Sequence, residues 1–185
     1  MINKIKDSKF FERRKDLVHL ITKRLTKGLI LEFGVYKATL TNFMAKRVGR
    51  RTIYGFDTFT GLPEDWGTAK RGTFNLDGVL PEVEKNVQLI KGNIKDTLPK
   101  FFSVIAAPVA LAYIDTDLYS SAKVIMEQLL INKRIIKGTI IVFDEMFGHE
   151  GYEEHEYAVW QEYEKRFKYK YIGWAEKGTV GIQIL

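Results

Sequence analysis

The sequence predicts a three-layer α/β sandwich, in which helices cover both faces of a doubly wound, mostly parallel sheet of seven strands. Short apolar runs alternate with helical patterns, and four of these runs end in an acid, at Glu32, Asp57, Asp115 and Asp144. Such runs are typical of strands buried on both faces of a parallel sheet. Ligands bind these sheets in the crevice outside the carboxyl ends of the strands. The four acids therefore predict a polar pocket along one edge of the sheet.

The N-terminal elements follow from the periodicity of the apolar residues. Residues 9–27 predict an amphipathic helix, and we expect residues 1–27 to form a basic N-terminal segment packed on a domain of residues 28–185. The next patterns predict, in order, a strand over 28–31, a helix over 39–47, a strand over 52–56, a short helix over 79–86 and a strand over 87–90. The turn-rich stretch 61–67 lies in a long irregular connection, which is typical of a lid or binding loop.

The C-terminal half completes the sheet. The patterns predict, in order, a helix over 97–102, a strand over 109–114, a helix over 119–131, a strand over 139–143 and a helix over 152–167. Two closing strands, 169–174 and 179–185, are separated by a short Glu176-Lys177-Gly178 turn. This spacing predicts an antiparallel hairpin at one edge of the sheet.

Composition excludes several classes of site. The chain has no cysteine, which rules out disulfides, thiolate zinc sites and cysteine nucleophiles. No apolar run has the length of a membrane span or the form of a signal peptide, so we expect a cytoplasmic protein. The net charge of +6 comes from an excess of Lys and Arg in residues 1–51. This basic segment either steers an anionic substrate, such as a phosphorylated or nucleotide-linked one, or is a solvated helix face.

The turn after the first strand indicates the cofactor. A dinucleotide site needs G-x-G-x-x-G here, but this turn has only Gly34, and Tyr36 would crowd a pyrophosphate. No G-x-x-x-x-G-K-[ST] loop occurs either. Glu32 would repel a phosphate and suits a cationic amino group, while Asp57 can accept hydrogen bonds from two ribose hydroxyls. An adenosyl ligand with a cationic amino-acid arm, S-adenosylmethionine, fits this pattern.

Four strings then give the chain a family resemblance. They are LEFGV at 31–35, YGFDTFTGLPEDW at 54–66, DTDLYSS at 115–121 and GTIIVFDE at 138–145. With them the chain resembles class I S-adenosylmethionine-dependent methyltransferases, which have a Rossmann-like fold. More narrowly it is similar to the macrocin O-methyltransferase family, whose members methylate sugar hydroxyls. The resemblance covers residues 28–185.

The resemblance implies roles for residues at the strand ends. Glu32 and Gly34 would hold the methionine end of the cofactor, Asp57 the ribose, and Asn93 and Ile94 the adenine. The whole implied cofactor set is Glu32, Gly34, Val35, Tyr36, Asp57, Thr58, Asn93, Ile94 and Asp115.

The resemblance also implies a magnesium ion. Its ligands would be Asp115, Asp144 and Glu145, although the family's usual Asp-Asp pair is Asp-Glu here. A divalent cation can orient neighbouring hydroxyls and lower their pKa. The alternative is a hydrogen-bonded carboxylate cluster that orders the pocket without an ion.

The general base has three candidates. The resemblance implies Asp117, which could instead cap the helix that begins near Leu118. His149 and, after it, His155 are its rivals, because they follow the Asp144 strand and histidine is the commonest general base.

The function expected from these residues is O-methylation of a hydroxyl on a small metabolite, with a sugar or nucleotide sugar as the first candidate. The alternatives are a nucleic-acid methyltransferase and a non-catalytic S-adenosylmethionine-binding domain. No Pro-Pro-Tyr or Pro-Pro-Phe motif, which is typical of amino methylation of nucleic acids, occurs in the sequence. The basic segment also lacks the interleaved aromatic residues of a base-stacking surface, so RNA and DNA are disfavoured as partners. No membrane partner is expected, and a homodimer through the N-terminal helix is a further expectation.

Overall fold

The computed structural model describes residues 1–185 and contains one sheet of eight strands flanked by six α-helices. The strands are β1 (Phe10–Phe11), β2 (Leu29–Phe33), β3 (Ile53–Asp57), β4 (Val87–Lys91), β5 (Val109–Ile114), β6 (Ile140–Phe143), β7 (Tyr169–Ala175) and β8 (Val180–Ile184). The helices are α1 (Ile2–Lys6), α2 (Arg14–Thr22), α3 (Thr39–Ala45), α4 (Ile94–Val104), α5 (Tyr119–Ile131) and α6 (Glu156–Tyr163). No helix has the length and apolar character needed to cross a membrane.

The predicted fold class is confirmed. The strand order is β1-β7-β8-β6-β5-β2-β3-β4, and β8 runs antiparallel to both β6 and β7 while the other pairs are parallel. The chain moves outward from β2 through β3 to β4 on one side, and from β5 to β6 on the other. The order therefore reverses between β2 and β5, which is where open α/β sheets form their ligand crevice.

Several predicted elements differ in the structure. The single helix over 9–27 is wrong, because residues 10–11 pair with β7 as an additional edge strand and a helix forms only from Arg14. The helix over 79–86 is also wrong, since this segment is irregular. Because β1 pairs with β7, the C-terminal hairpin does not form the edge of the sheet as predicted. The predicted helix over 152–167 is divided into α6 and a 3₁₀ turn on each side of it.

Hydrophobic burial on the two faces of the sheet holds these layers together. One core packs α4, α5 and α6 on one face, with Phe33, Ile114 and Trp160 fully buried. The second core packs α2 and α3 on the other face, around Ile30 and Leu111. Every residue of β5 is buried, as expected for the central strand of such a sheet.

Candidate functional site

A single large cavity opens at the carboxyl ends of β2, β3, β5 and β6. Its volume is about 680 Å³, within the usual range for cofactor pockets. All nine predicted cofactor residues line it, as do Asp117 and the three predicted metal ligands. Of the basic residues in the segment 1–51, Arg14 and Lys37 reach the cavity. The sequence pattern thus located the pocket, and the structure defines what each side chain does in it.

The turn after β2 is held in an uncommon conformation. Gly34 has a φ of +89°, and a Cβ on it would lie 1.7 Å from the carbonyl oxygen of Asp115, so only glycine fits. Tyr36 follows in the left-handed region, with a φ of 48°. Asp57 fixes this turn, because its Oδ2 accepts hydrogen bonds from the N–H groups of Val35 and Tyr36, both at 2.8 Å. The carboxylate therefore orders the turn from the end of the neighbouring strand and still lines the cavity.

Glu32 is a buried acid with one oxygen that no protein group satisfies. It is 1% exposed, and its Oε2 is enclosed with no hydrogen bond. Burial raises the pKa of its carboxyl to about 8, although the nearby Thr41 hydroxyl and the Arg14 guanidinium act to lower it. A buried carboxyl oxygen that receives no hydrogen bond is costly, and a cationic group in the cavity would satisfy it.

The end of β6 carries a carboxylate with three protein partners. Asp144 is buried, and its Oδ1 accepts from the hydroxyl of Tyr113 and from Thr179 Oγ1, the latter at 3.2 Å. Its Oδ2 forms an ion pair with Arg14, whose Nη1 also lies 3.4 Å from Asp115 Oδ2. Both oxygens of Asp144 are therefore engaged by protein groups.

The contacts of Asp115 and Asp144 differ from those expected of magnesium ligands. No group of three His, Asp or Glu side chains is arranged to hold a metal ion. The guanidinium of Arg14 lies against Asp115 and Asp144, at the position where their shared cation would bind. Glu145, the third predicted ligand, lines the same cavity. The structure therefore gives no support to the predicted magnesium site.

Asp117 has the properties of a general base. It lines the cavity and has a φ of +62°, a strained backbone position that is common at functional sites. Burial, with the nearby carboxylates of Glu145 and Asp144, raises the pKa of Asp117 to about 7. A carboxylate that titrates near neutral pH is well matched to proton abstraction.

His149 occupies a different environment. It is not among the residues that line the cavity. Its Nδ1 lies 3.0 Å from the carbonyl oxygen of Glu150, and its Nε2 lies 3.2 Å from that of Glu145. Its ring packs edge-on against Trp66, with 5.5 Å between centroids. Both ring nitrogens thus lie beside backbone carbonyl oxygens of the same loop rather than in the cavity, and the geometry favours Asp117.

The connection between β3 and β4 covers the cavity, as predicted for a binding loop. Leu62, Trp66 and Phe74 from this loop line the cavity wall. Glu64 accepts a hydrogen bond from Ser120 at 2.5 Å, which ties the loop to the first turn of α5. Phe59 is fully buried beneath the loop and anchors it.

Sequence reasoning missed two residues of this site. Arg14 belongs to the basic N-terminal segment, in which no local signal distinguishes it from its neighbours. Glu156, on α6, is 1% exposed and accepts from the N–H groups of Thr116 and Glu145, each at 3.3 Å. It thereby holds together the turns after β5 and β6. Burial raises the pKa of Glu156 well above its ordinary value.

Comparison with known proteins gives the family. A family model described as a methyltransferase domain matches residues 31–146, which is more than half of the chain. The chain belongs to this methyltransferase family. The matched segment runs from β2 to just beyond β6 and contains all the strand-end acids of the cavity.

Solved structures of methyltransferases share the fold. CalS11, described as a TDP-rhamnose 3′-O-methyltransferase of calicheamicin biosynthesis, is 22% identical, with a TM-score of 0.73 over 98% of this chain and 83% of that chain. The O-methyltransferase NovP is 18% identical, with a TM-score of 0.65 over 92% and 79%. TomG from Streptomyces achromogenes, solved with S-adenosylmethionine, is 14% identical, with a TM-score of 0.57 over 92% and 79%. No curated protein matches the sequence significantly. At these identities the likeness of this methyltransferase to the solved structures is one of fold.

Proposed function

We propose that this methyltransferase transfers the methyl group of S-adenosylmethionine to a hydroxyl oxygen of a small metabolite, with a sugar or nucleotide sugar as acceptor. The observation that carries the proposal is the buried carboxyl of Glu32, whose Oε2 has no hydrogen-bond partner, in a cavity of cofactor size. Such a group calls for a cationic partner, which the amino-acid arm of S-adenosylmethionine supplies.

Residues at the other strand ends suit the ribose, the adenine and the sulfonium of S-adenosylmethionine. Asp57 keeps one acceptor site, on Oδ1, for a ribose hydroxyl, because the N–H groups of Val35, Tyr36 and Phe59 occupy the others. Asn93 and Ile94 begin α4 at the far wall of the cavity, where the adenine would lie. The sulfonium would then face the ends of β5 and β6, which carry Asp115, Asp117 and Asp144.

Methyl transfer needs little covalent chemistry from the protein. The acceptor oxygen forms a bond to the methyl carbon as the bond from that carbon to sulfur breaks, and the electron pair stays on the sulfur. We assign the hydroxyl proton to the carboxylate of Asp117, whose pKa of about 7 suits this role. Positioning the two reactants in line supplies much of the remaining catalysis.

The proposed class of acceptor is supported by the solved structures that share this fold and by the residues that line the cavity. CalS11 acts on a nucleotide-linked sugar, and NovP is an O-methyltransferase. The cavity near Asp117 is polar, with Thr116 and Ser120 beside the acids, as suits a hydroxylated acceptor. The basic residues Arg14 and Lys37 at the same cavity can interact with an anionic part of the acceptor.

The first test is calorimetric titration with S-adenosylmethionine and S-adenosylhomocysteine. We expect micromolar binding by the wild type, weaker binding by Asp57→Ala, and wild-type binding by the exposed control Asp7→Asn. No binding by the folded wild type would refute the proposal. Binding without formation of S-adenosylhomocysteine from any hydroxylated acceptor would favour the non-catalytic alternative, and methylation of RNA or DNA would favour the nucleic-acid alternative.

A further inference from the structure

Arg14 contributes a positive charge to the centre of an otherwise acidic cluster. It is the first residue of α2, and its side chain crosses to the ends of β5 and β6. Its Nη1 pairs with Asp144 and lies 3.4 Å from Asp115 Oδ2. The side chain of Asp144 is 6% exposed and that of Arg14 is 40% exposed. The guanidinium therefore bridges the buried carboxylate of Asp144 and the partly exposed carboxylate of Asp115, and remains open to the cavity.

The other donors of Arg14 are free. No protein atom accepts a hydrogen bond from its Nε or Nη2, and the residue lines the cavity. These two nitrogens form one edge of the guanidinium, an arrangement that binds two neighbouring oxygen atoms together. A vicinal diol, a carboxylate or a phosphate presents such a pair.

The charge of this group is permanent. A guanidinium stays protonated throughout the pH range in which proteins are folded, and the carboxylates of Asp144 and Asp115 beside it favour the charged form. Arg14 therefore acts as a fixed cation at every pH at which the protein is folded, and it does not serve as an acid.

We propose that Arg14 takes the place of a divalent cation between Asp115 and Asp144 and binds the acceptor oxygens through its free edge, so that methyl transfer is independent of metal. This inference rests on the proposed function and identifies a catalytic residue for it. It also narrows the acceptor to molecules that place a second oxygen beside the reacting hydroxyl.

In this reaction Arg14 stabilises charge and transfers no proton. Negative charge grows on the acceptor oxygen while its proton moves to Asp117, and the N–H groups of Arg14 are already oriented to receive that charge. Fixed donors aimed at developing charge lower the barrier without reorganisation. The charge disappears when the oxygen–carbon bond is complete and neutral S-adenosylhomocysteine leaves.

The test is a titration with Mn²⁺ followed by electron paramagnetic resonance of the free ion. We expect weak binding by the wild type and an affinity about tenfold higher or more in Arg14→Ala, because removing the cation frees two carboxylates for the metal. Arg13→Ala is the matched control, since it removes the same charge from an adjacent, exposed arginine whose partner is Asp16. Thermal melts establish that each variant is folded. Arg14→Lys is the second variant: it keeps the cation, so we expect weak Mn²⁺ binding.

Two results of the Mn²⁺ titration would overturn the inference. One is tight Mn²⁺ binding by the wild type that Asp144→Asn abolishes. The other is a folded Arg14→Ala protein with no gain in Mn²⁺ affinity. Titration of the same samples with S-adenosylhomocysteine tests the proposed function separately. Once an acceptor is identified, turnover that is unchanged by EDTA supports the inference, and turnover that EDTA abolishes and Mg²⁺ restores overturns it.

Discussion

Replacing Glu32 with glutamine tests the chemistry of the cofactor pocket most directly. The pKa of this carboxyl is about 8, so about 0.9 of the molecules carry the Glu32 proton at about pH 7. Binding of a cationic amino group beside the carboxyl lowers its pKa and releases that proton. We therefore expect ligand binding at pH 7 to release close to one proton from Glu32, and the Gln variant to lack this release.

The affinity for S-adenosylhomocysteine should depend on pH through the same ionisation of Glu32. Between about pH 6 and pH 8, the ionised fraction of a group with a pKa of about 8 rises about 50-fold. The ratio of wild-type to Glu32→Gln affinity for S-adenosylhomocysteine should rise by that factor over the same range. Taking the ratio removes the titration of the ligand's own amino group, which is the same for both proteins.

The assay is calorimetry at each pH in two buffers of different ionisation enthalpy, which gives the number of protons released. Glu153→Gln, on the exposed 3₁₀ turn before α6, is the control for a change of charge. Equal proton release by the wild type and Glu32→Gln would refute the reasoning, because it would mean that the ligand does not contact this carboxyl. A constant affinity ratio across the pH range would refute it equally.

Three further predictions concern the base, the first turn and the stability of the fold. Asp117→Asn should abolish methyl transfer to any acceptor found while S-adenosylhomocysteine binds within about threefold of wild type, because a base acts only in the chemical step; a variant with full turnover contradicts this role. Gly34→Ala should lower the free energy of unfolding by about 3 kcal/mol or more, whereas Gly49→Ala, with open space around it, should cost about 1 kcal/mol, as urea denaturation can measure. The ligand-free protein should lose stability between about pH 6 and pH 8, by at most about 1.4 kcal/mol per pH unit for each group. The reason is that the pKa values of Glu32 (about 8) and Asp117 (about 7) are raised above those of the unfolded chain, so the folded protein holds protons that the unfolded chain has already lost. This contribution to stability is gone once the pH has passed the two folded-state pKa values. Urea midpoints that stay constant or rise over this range would contradict the assigned burial of these acids.

Elements with strong local patterns were predictable from the sequence. The strand over 109–114 and the helix over 119–131 have the same bounds in the structure. The first is a continuous apolar run and the second has a regular helical period, and both signals are contained in the residues themselves. The wrong helix over 79–86 lacks such a signal, and its segment follows the surface as part of the loop over the cavity.

The N-terminal segment shows the limit of local patterns. Residues 10–11 form a strand only because β7 presents an edge to them, in a pairing that joins Phe10 to Trp174. Two residues carry too little periodicity to indicate a strand. The same long-range packing sets the direction of α2, and through it the position of Arg14.

The sequence by itself determined the order of the layers and the edge of the sheet where the acids lie, because parallel strands bring their carboxyl ends to the same edge. It also determined that this edge is built for a cationic adenosyl ligand rather than a pyrophosphate. Only the tertiary structure decided what each acid does there. Arg14 meets Asp115 and Asp144 across 101 and 130 residues of chain, and the raised pKa values of Glu32 and Asp117 come from burial. Ion pairing and desolvation both depend on distances in space, which local sequence does not encode.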